Sequence, residues 1–156
     1  MERKLLVLAA VLMTILLASA QKVVKPDSEL PPGSPQLIQP AELMKAIQST
    51  AGPKPIVLYV GPRTFYVQAH ISGAEYLGPA GKPEGMDKLR ARAKSLPRDS
   101  LIVIYCGCCP WDHCPNIRPA YHELEKMGFS KVRVLYLPTS FGSNWADKGY
   151  PVAKGE

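Results

Sequence analysis

All four cysteines of this 156-residue chain fall in one stretch, YCGCCPWDHCPNIRPA (residues 105–120), as Cys106, Cys108, Cys109 and Cys114. Cysteines that staple a fold are usually spread along it, because a bridge gains most by closing a long loop. Clustered thiols instead do chemistry, hold a metal, or pair locally as a redox switch. The types around them widen the choice: Trp111, Asp112 and His113 lie inside the cluster and Arg118 just beyond it.

The elements on either side decide how such a loop would be held. LIVIY (residues 101–105) is the clearest strand in the sequence and runs straight into Cys106. After the cluster, Asn116 stands as an N-cap for a helix through Tyr121, Leu124 and Met127, stopped by Gly128. A strand–loop–helix unit can turn its loop N–H groups into an anion cradle, and the helix adds the positive end of its dipole. A thiol in that field ionises more readily. Cys106, where the strand ends, has the position of a nucleophile. Arg118, in the first helical turn, offers a fixed charge and a fork for the oxygens of an anionic substrate.

Other assignments stay open. Cys114 precedes the helix and also feels its end, so it is an alternative nucleophile, or a resolving thiol able to close a disulfide with Cys106 or Cys109. Cys108 and Cys109 are poor partners for each other, since a vicinal disulfide is strained. The pattern C-x-C-C-x4-C with His113 also offers soft or borderline ligands for Zn or Cu(I): Cys106, Cys108, Cys109, Cys114 and His113. It lacks the two separated C-x2-C pairs of a structural zinc site and the C-x-x-C-H order of haem attachment. Trp111 is placed to cover the site, and Asp112 reads as a solvated loop charge. His70 reads as structural, His122 as a helix-surface residue, and Trp145 and Tyr150 as closing core.

Around this unit the chain alternates helix and strand. PAELMKAIQST (residues 40–50) has Pro40 at a helix start and Leu43, Met44 and Ile47 at helical spacing. PIVLYV (55–60) reads as a strand buried on both faces, VRVLYL (132–137) as a further strand, ISGAEYL (71–77) as a short one, and residues 86–96 as an amphipathic helix after a loop over 79–85. The alternation argues for an α/β fold with a parallel sheet, in which ligands bind beyond the carboxyl ends of strands. Cys106 occupies that place.

Residues 1–20, with Arg3 and Lys4 before an apolar run and Ala18-Ser19-Ala20 at the end, follow the pattern of a secretory signal peptide. Cleavage there would leave about 136 residues, enough for one domain with a real core. The destination is periplasmic or otherwise extracytoplasmic, with membrane attachment only through an uncleaved signal segment. Residues 21–39, rich in Pro, Ser and Gly, read as a leader or linker, and residues 40–156 as a single domain. The net charge of +6 is scattered, without the dense basic runs and interleaved aromatics of a nucleic-acid surface, and mildly favours small anions.

Over residues 40–152 these pieces resemble the rhodanese-like domain family of sulfurtransferases. The resemblance rests on AHISGAEYL, similar to the family's His-Ile-x-Gly-Ala element, on LIVIYC as its strand and active cysteine, and on Arg118 with PAYHELEKMGF as its following helix. VRVLYL and NWADKGYPV are similar to its closing strand and Trp-x-x-x-Gly-x-Pro ending. The resemblance implies a five-stranded parallel sheet flanked by helices and no cofactor. It also implies that Cys106 takes a sulfane sulfur from a donor such as thiosulfate, holds it as a persulfide steadied by loop N–H groups and Arg118, and passes it to a thiol acceptor, small or protein. The chain departs from the family's pattern in three places. Cys106 and Arg118 are twelve positions apart, Tyr59-Val60-Gly61 replaces an Asp-x-Arg, and Ser140-Phe141 replaces a glycine pair. Protein recovered from an extracytoplasmic fraction is expected to begin at Gln21, as read by amino-terminal sequencing; a start at Met1 would refute the cleavage.

Overall fold

The computed structural model describes residues 30–155; the signal segment and most of the leader lie outside the described residues. The first half contains β1 (Leu37–Ile38), α1 (Pro40–Gln48), β2 (Ile56–Tyr59), α2 (Arg63–Gln68), β3 (His70–Ile71) and β4 (Glu75–Tyr76). The second half contains α3 (Pro83–Lys94), β5 (Ile102–Tyr105), α4 (Ile117–Lys126), β6 (Val132–Leu135), α5 (Phe141–Asn144) and β7 (Val152–Ala153). Five strands form one sheet in the order β1-β6-β5-β2-β4, and every pair in it is parallel. The apolar runs IVLY and IVIY, with VRVL interrupted only by Arg133, make its centre, as largely hydrophobic strands do when helices cover both faces.

Strand alternation sorts the core into two layers. Ile102, Ile104 and Cys106 pack with Leu89 and Ala93 of α3 and with Ile117, Ala120 and Leu124 of α4. Val103 and Tyr105 face the other way, toward Leu43 of α1, Tyr66 of α2, Phe141 and Trp145. The period of two along β5 therefore delivers the Cys106 sulfur to the face of the sheet on which α4 begins.

On the opposite face, β3 pairs antiparallel with β7, and the Ile71 N–H donates to the Tyr105 Oη at 2.9 Å. His70 is buried, its Nδ1 2.8 Å from the Tyr66 carbonyl oxygen and its ring stacked on Tyr66 at 3.8 Å, which is the structural role its context suggests. Trp145 is fully buried and donates from Nε1 to the Pro151 carbonyl at 2.9 Å, with Tyr150 edge-on at 5.1 Å.

Three features differ from the sequence expectation. The leader expected over 21–39 ends inside the domain: Leu37 and Ile38 form β1, tied to β6 by Val134 N–H to Gln36 O at 2.8 Å and Tyr136 N–H to Ile38 O at 2.9 Å. Leu30 is buried as well. Helix α2 occupies residues with no helical hydrophobic pattern. Helix α3 starts at Pro83 rather than Met86, because Pro at the first helical position loses no hydrogen bond there. Replacing Tyr105 by Phe leaves the buried Ile71 N–H without its acceptor, and a loss of about 1–3 kcal/mol is expected in urea unfolding at unchanged m-value. A loss near zero would show that this bond does not join the two sheets.

Candidate active site

The chain leaves β5 at Tyr105 and enters the loop at Cys106. A 3₁₀ turn, Trp111–His113, hooks the loop to the segment after β6 through the Trp111 N–H and the Leu137 carbonyl at 3.1 Å. The backbone then passes Cys114 and enters α4, the Ile117 N–H donating to the Cys114 carbonyl at 3.4 Å. This path folds the four thiols, all free, against one another. Cys108 Sγ lies 3.0 Å from Cys106 Sγ, 3.0 Å from Cys109 Sγ and 3.9 Å from Cys114 Sγ, so Cys108 is the sulfur that meets the other three. Cys106 and Cys114 are buried, Cys108 and Cys109 half-buried.

Asn116 fixes the arrangement. It stands at the start of α4 as expected, yet its side chain caps nothing there. It is buried, its Oδ1 accepts the Gly81 N–H at 3.0 Å, and its Nδ2 donates to Cys106 Sγ at 3.4 Å and Cys114 Sγ at 3.8 Å. Gly61 closes the other side: a Cβ there would sit 2.6 Å from Cys106 Sγ and 2.9 Å from the Tyr59 hydroxyl. Tyr59 and Gly61, standing in place of the Asp-x-Arg, thus form the wall behind Cys106.

The electrostatics of the cluster select one sulfur. Hydrogen bonding from the Cys106 thiol, joined by the Asn116 backbone N–H and the Cys109 and Cys108 thiols, pushes Cys114 down to about 6 against the opposing effect of burial. Cys106 moves up, because it is the donor to Cys114 and is itself buried beside that charge. Burial pushes Cys109 up, with its hydrogen bond to Cys108 adding to the effect. Hydrogen bonding thus favours the thiolate at Cys114 and holds the proton on Cys106 beside it. The place of Cys106 at the end of β5 and the resemblance both point instead to that thiol as the attacking sulfur.

The remaining expected residues are placed as follows. Arg118 lies on the first turn of α4, exposed, with no hydrogen bond or ion pair to the thiols. His113 has a side chain 78% exposed, and its Nδ1 meets Asp112 Oδ1 at 2.9 Å, a bond that holds the Asp112 carboxyl below its usual range. Trp111 is buried in the layer that contains the cysteines, 6.0 Å from the Tyr136 ring, so it backs the cluster from inside rather than covering it from solvent. Among the described residues, Cys106, Cys108 and Cys114 offer sulfurs within 4.8 Å of one another, close enough to share a soft cation; Cys109 and His113 fall outside that group. A hollow of about 220 Å³ between α2 and α5 reaches Gly107, in the turn between Cys106 and Cys108. A larger one of about 550 Å³, lined by Lys54, Lys131 and Arg133, lies where β2 and β5 begin, at the end of the strands away from the thiols.

Alkylation of Cys114 is expected to slow as pH falls through about 6, dropping tenfold per unit below it as the thiolate takes up a proton. In Cys106→Ala, which removes the largest cause, the midpoint should climb toward the ordinary thiol value of 9.0. A midpoint that stays put in that variant would refute this account of the charge.

No protein-family model and no curated protein matches the sequence. Solved structures do. The chain is similar to the rhodanese-like domain of the Alr3790 protein from Anabaena sp., with a TM-score of 0.56 at 21% identity over 78% of this chain and 80% of that one. The BH2092 protein from Bacillus halodurans aligns with a TM-score of 0.56 at 22% identity, covering 76% of each chain. A variant of EanB in complex with hercynine aligns with a TM-score of 0.54 at 20% identity over 76% of this chain and 27% of that one. With its five-stranded parallel sheet, its helices on both faces and its thiol loop after β5, the chain has the rhodanese-like fold.

Proposed function

We propose that the protein is a sulfurtransferase or sulfur carrier that works outside the cytoplasm. Its Cys114 thiolate attacks the sulfane sulfur of an anionic donor such as thiosulfate, forming a Cys114 persulfide and releasing sulfite. Cys106 serves as the hydrogen-bond donor that keeps Cys114 ionised. Arg118, exposed one helical step from the loop, offers its guanidinium to the incoming oxygens. The persulfide then passes to a thiol acceptor. The observation that carries this reading is the packing of four free thiols against one another after β5, at the carboxyl end of a parallel sheet where such folds bind ligands, with Cys114 held low by the thiols around it. A thiol pushed down by its neighbours' hydrogen bonds combines ionisation near neutral pH with the nucleophilicity of sulfur.

A second reading has its own observation: three sulfurs within 4.8 Å of one another suit a trigonal site for Cu(I). Metal content of the purified chain separates the two. A bound soft metal at one per chain that blocks thiosulfate turnover favours the second.

Reduced protein mixed with thiosulfate is expected to release sulfite, and peptide mapping after a rapid acid quench to place the newly accepted sulfur on Cys114. Cys114→Ser should abolish sulfite release, and Cys106→Ser should slow it at neutral pH by weakening the thiolate. Sulfite release that survives in Cys114→Ser and disappears in Cys106→Ser would move the nucleophile to the strand end.

A further inference from the structure

A persulfide next to a free thiol is a short-lived species, because thiolates attack disulfide-type sulfurs and expel the better leaving group. Cys108 is placed for that attack. Its Sγ is 3.9 Å from Cys114 Sγ and 3.0 Å from Cys106 Sγ, and it is more exposed than either. A sulfur that sits against the carrier makes the second reaction intramolecular, where effective concentrations far exceed those of any acceptor in solution.

We propose that Cys108 is a built-in resolving thiol, so that the loop reduces sulfane sulfur to hydrosulfide rather than storing it. The proposal rests on the carrier reading for its first step. In that step the Cys114 thiolate bonds to the outer sulfur of thiosulfate, and the S–S bond of the donor breaks to release sulfite. In the second, Cys108 attacks the Cys114 Sγ. A Cys108–Cys114 disulfide forms, the bond to the terminal sulfur breaks, and the proton of the Cys108 thiol leaves with that sulfur as hydrosulfide. Two thiols are oxidised by two electrons, and the sulfane sulfur gains those two electrons. Turnover then needs a dithiol reductant of the thioredoxin class to reopen the disulfide.

The geometry also chooses the disulfide. Cys108 and Cys109 are neighbours in sequence and strained as a pair, and Cys106 and Cys108 are separated by Gly107 alone. Cys108 and Cys114 are six positions apart across the 3₁₀ turn, which leaves backbone enough for their sulfurs to close from 3.9 Å to a bond of about 2.0 Å. Cys109, 3.0 Å from Cys108, stays a thiol in this scheme.

The test uses the reduced full chain, without air, mixed with thiosulfate at one equivalent. Sulfite reports the first step, and hydrosulfide, intact mass and peptide mapping report the second. Wild type should release one sulfite and one hydrosulfide per chain, lose the mass of two hydrogens, and carry a Cys108–Cys114 disulfide. Cys108→Ser should still release sulfite but keep the transferred sulfur, with hydrosulfide release slowed on the order of a hundredfold or more for want of an intramolecular attacker. Wild type that releases sulfite and holds the extra sulfur as a lasting persulfide overturns the proposal and leaves the carrier reading intact. Hydrosulfide release at wild-type rate from Cys108→Ser, or a wild-type disulfide mapped to Cys106 or Cys109, also overturns it. Absence of sulfite from wild type overturns both the proposal and the carrier reading. The wild-type disulfide map stands by itself if the variant folds poorly.

Discussion

The buried amide of Asn116 is the contact on which the thiol loop depends. Burying an amide without partners costs free energy, so its oxygen and nitrogen must each find one. The oxygen takes the Gly81 N–H from the segment before α3, and the nitrogen is left facing two sulfurs, Cys106 and Cys114. One side chain thus joins three parts of the chain that are distant in sequence: the approach to α3, the end of β5 and the start of α4. Sulfur is a weak acceptor when protonated and a better one when ionised. The same amide that orders the loop therefore favours a negative charge in it.

The sheet supplies the other half of the site by geometry alone. Alternation along β5 sends Cys106 toward α4, and Gly61 leaves room for its sulfur against Tyr59. The polar end of the molecule is then built from turns whose backbone groups are already committed: Trp111 to Leu137, Cys114 to Trp111, Ile117 to Cys114. That network gives a loop rich in thiols a fixed shape. Fixed sulfur positions let the thiols' hydrogen bonds push Cys114 down while Cys106 and Cys109 move up.

How much of this the sequence revealed follows from the range of each interaction. β2 and β5 were legible because each is a continuous apolar run, and β6 because only Arg133 interrupts its apolar residues; the placement of Cys106 followed from the end of β5. β1 was not legible: Leu37 and Ile38 are only two residues among prolines and glutamines, and their pairing with Val134 and Leu135 depends on the assembled sheet. α2 was hidden because six residues are too few to show a period. Asn116 was seen as a helix cap from local chemistry, while its use as a bridge required Gly81, a residue 35 positions away. The exposure of Arg118, the burial of Trp111 and the hydrogen bonds that push Cys114 down depend on distances that spacing does not encode.

The sheet's margins carry a further consequence. β1 and β4, the outermost strands, are two residues each, and β4 has its Glu75 engaged by Arg92 of α3 through a paired set of guanidinium bonds. The interior segments IVLY and IVIY have the β-branched, uncharged character that drives strand addition between chains, and VRVL adds only Arg133 as a charge. Short borders guard them, since two residues present too little open ladder for a second molecule to extend. Partial opening at either border would therefore uncover the ladder edges of the interior strands as a template for pairing between chains.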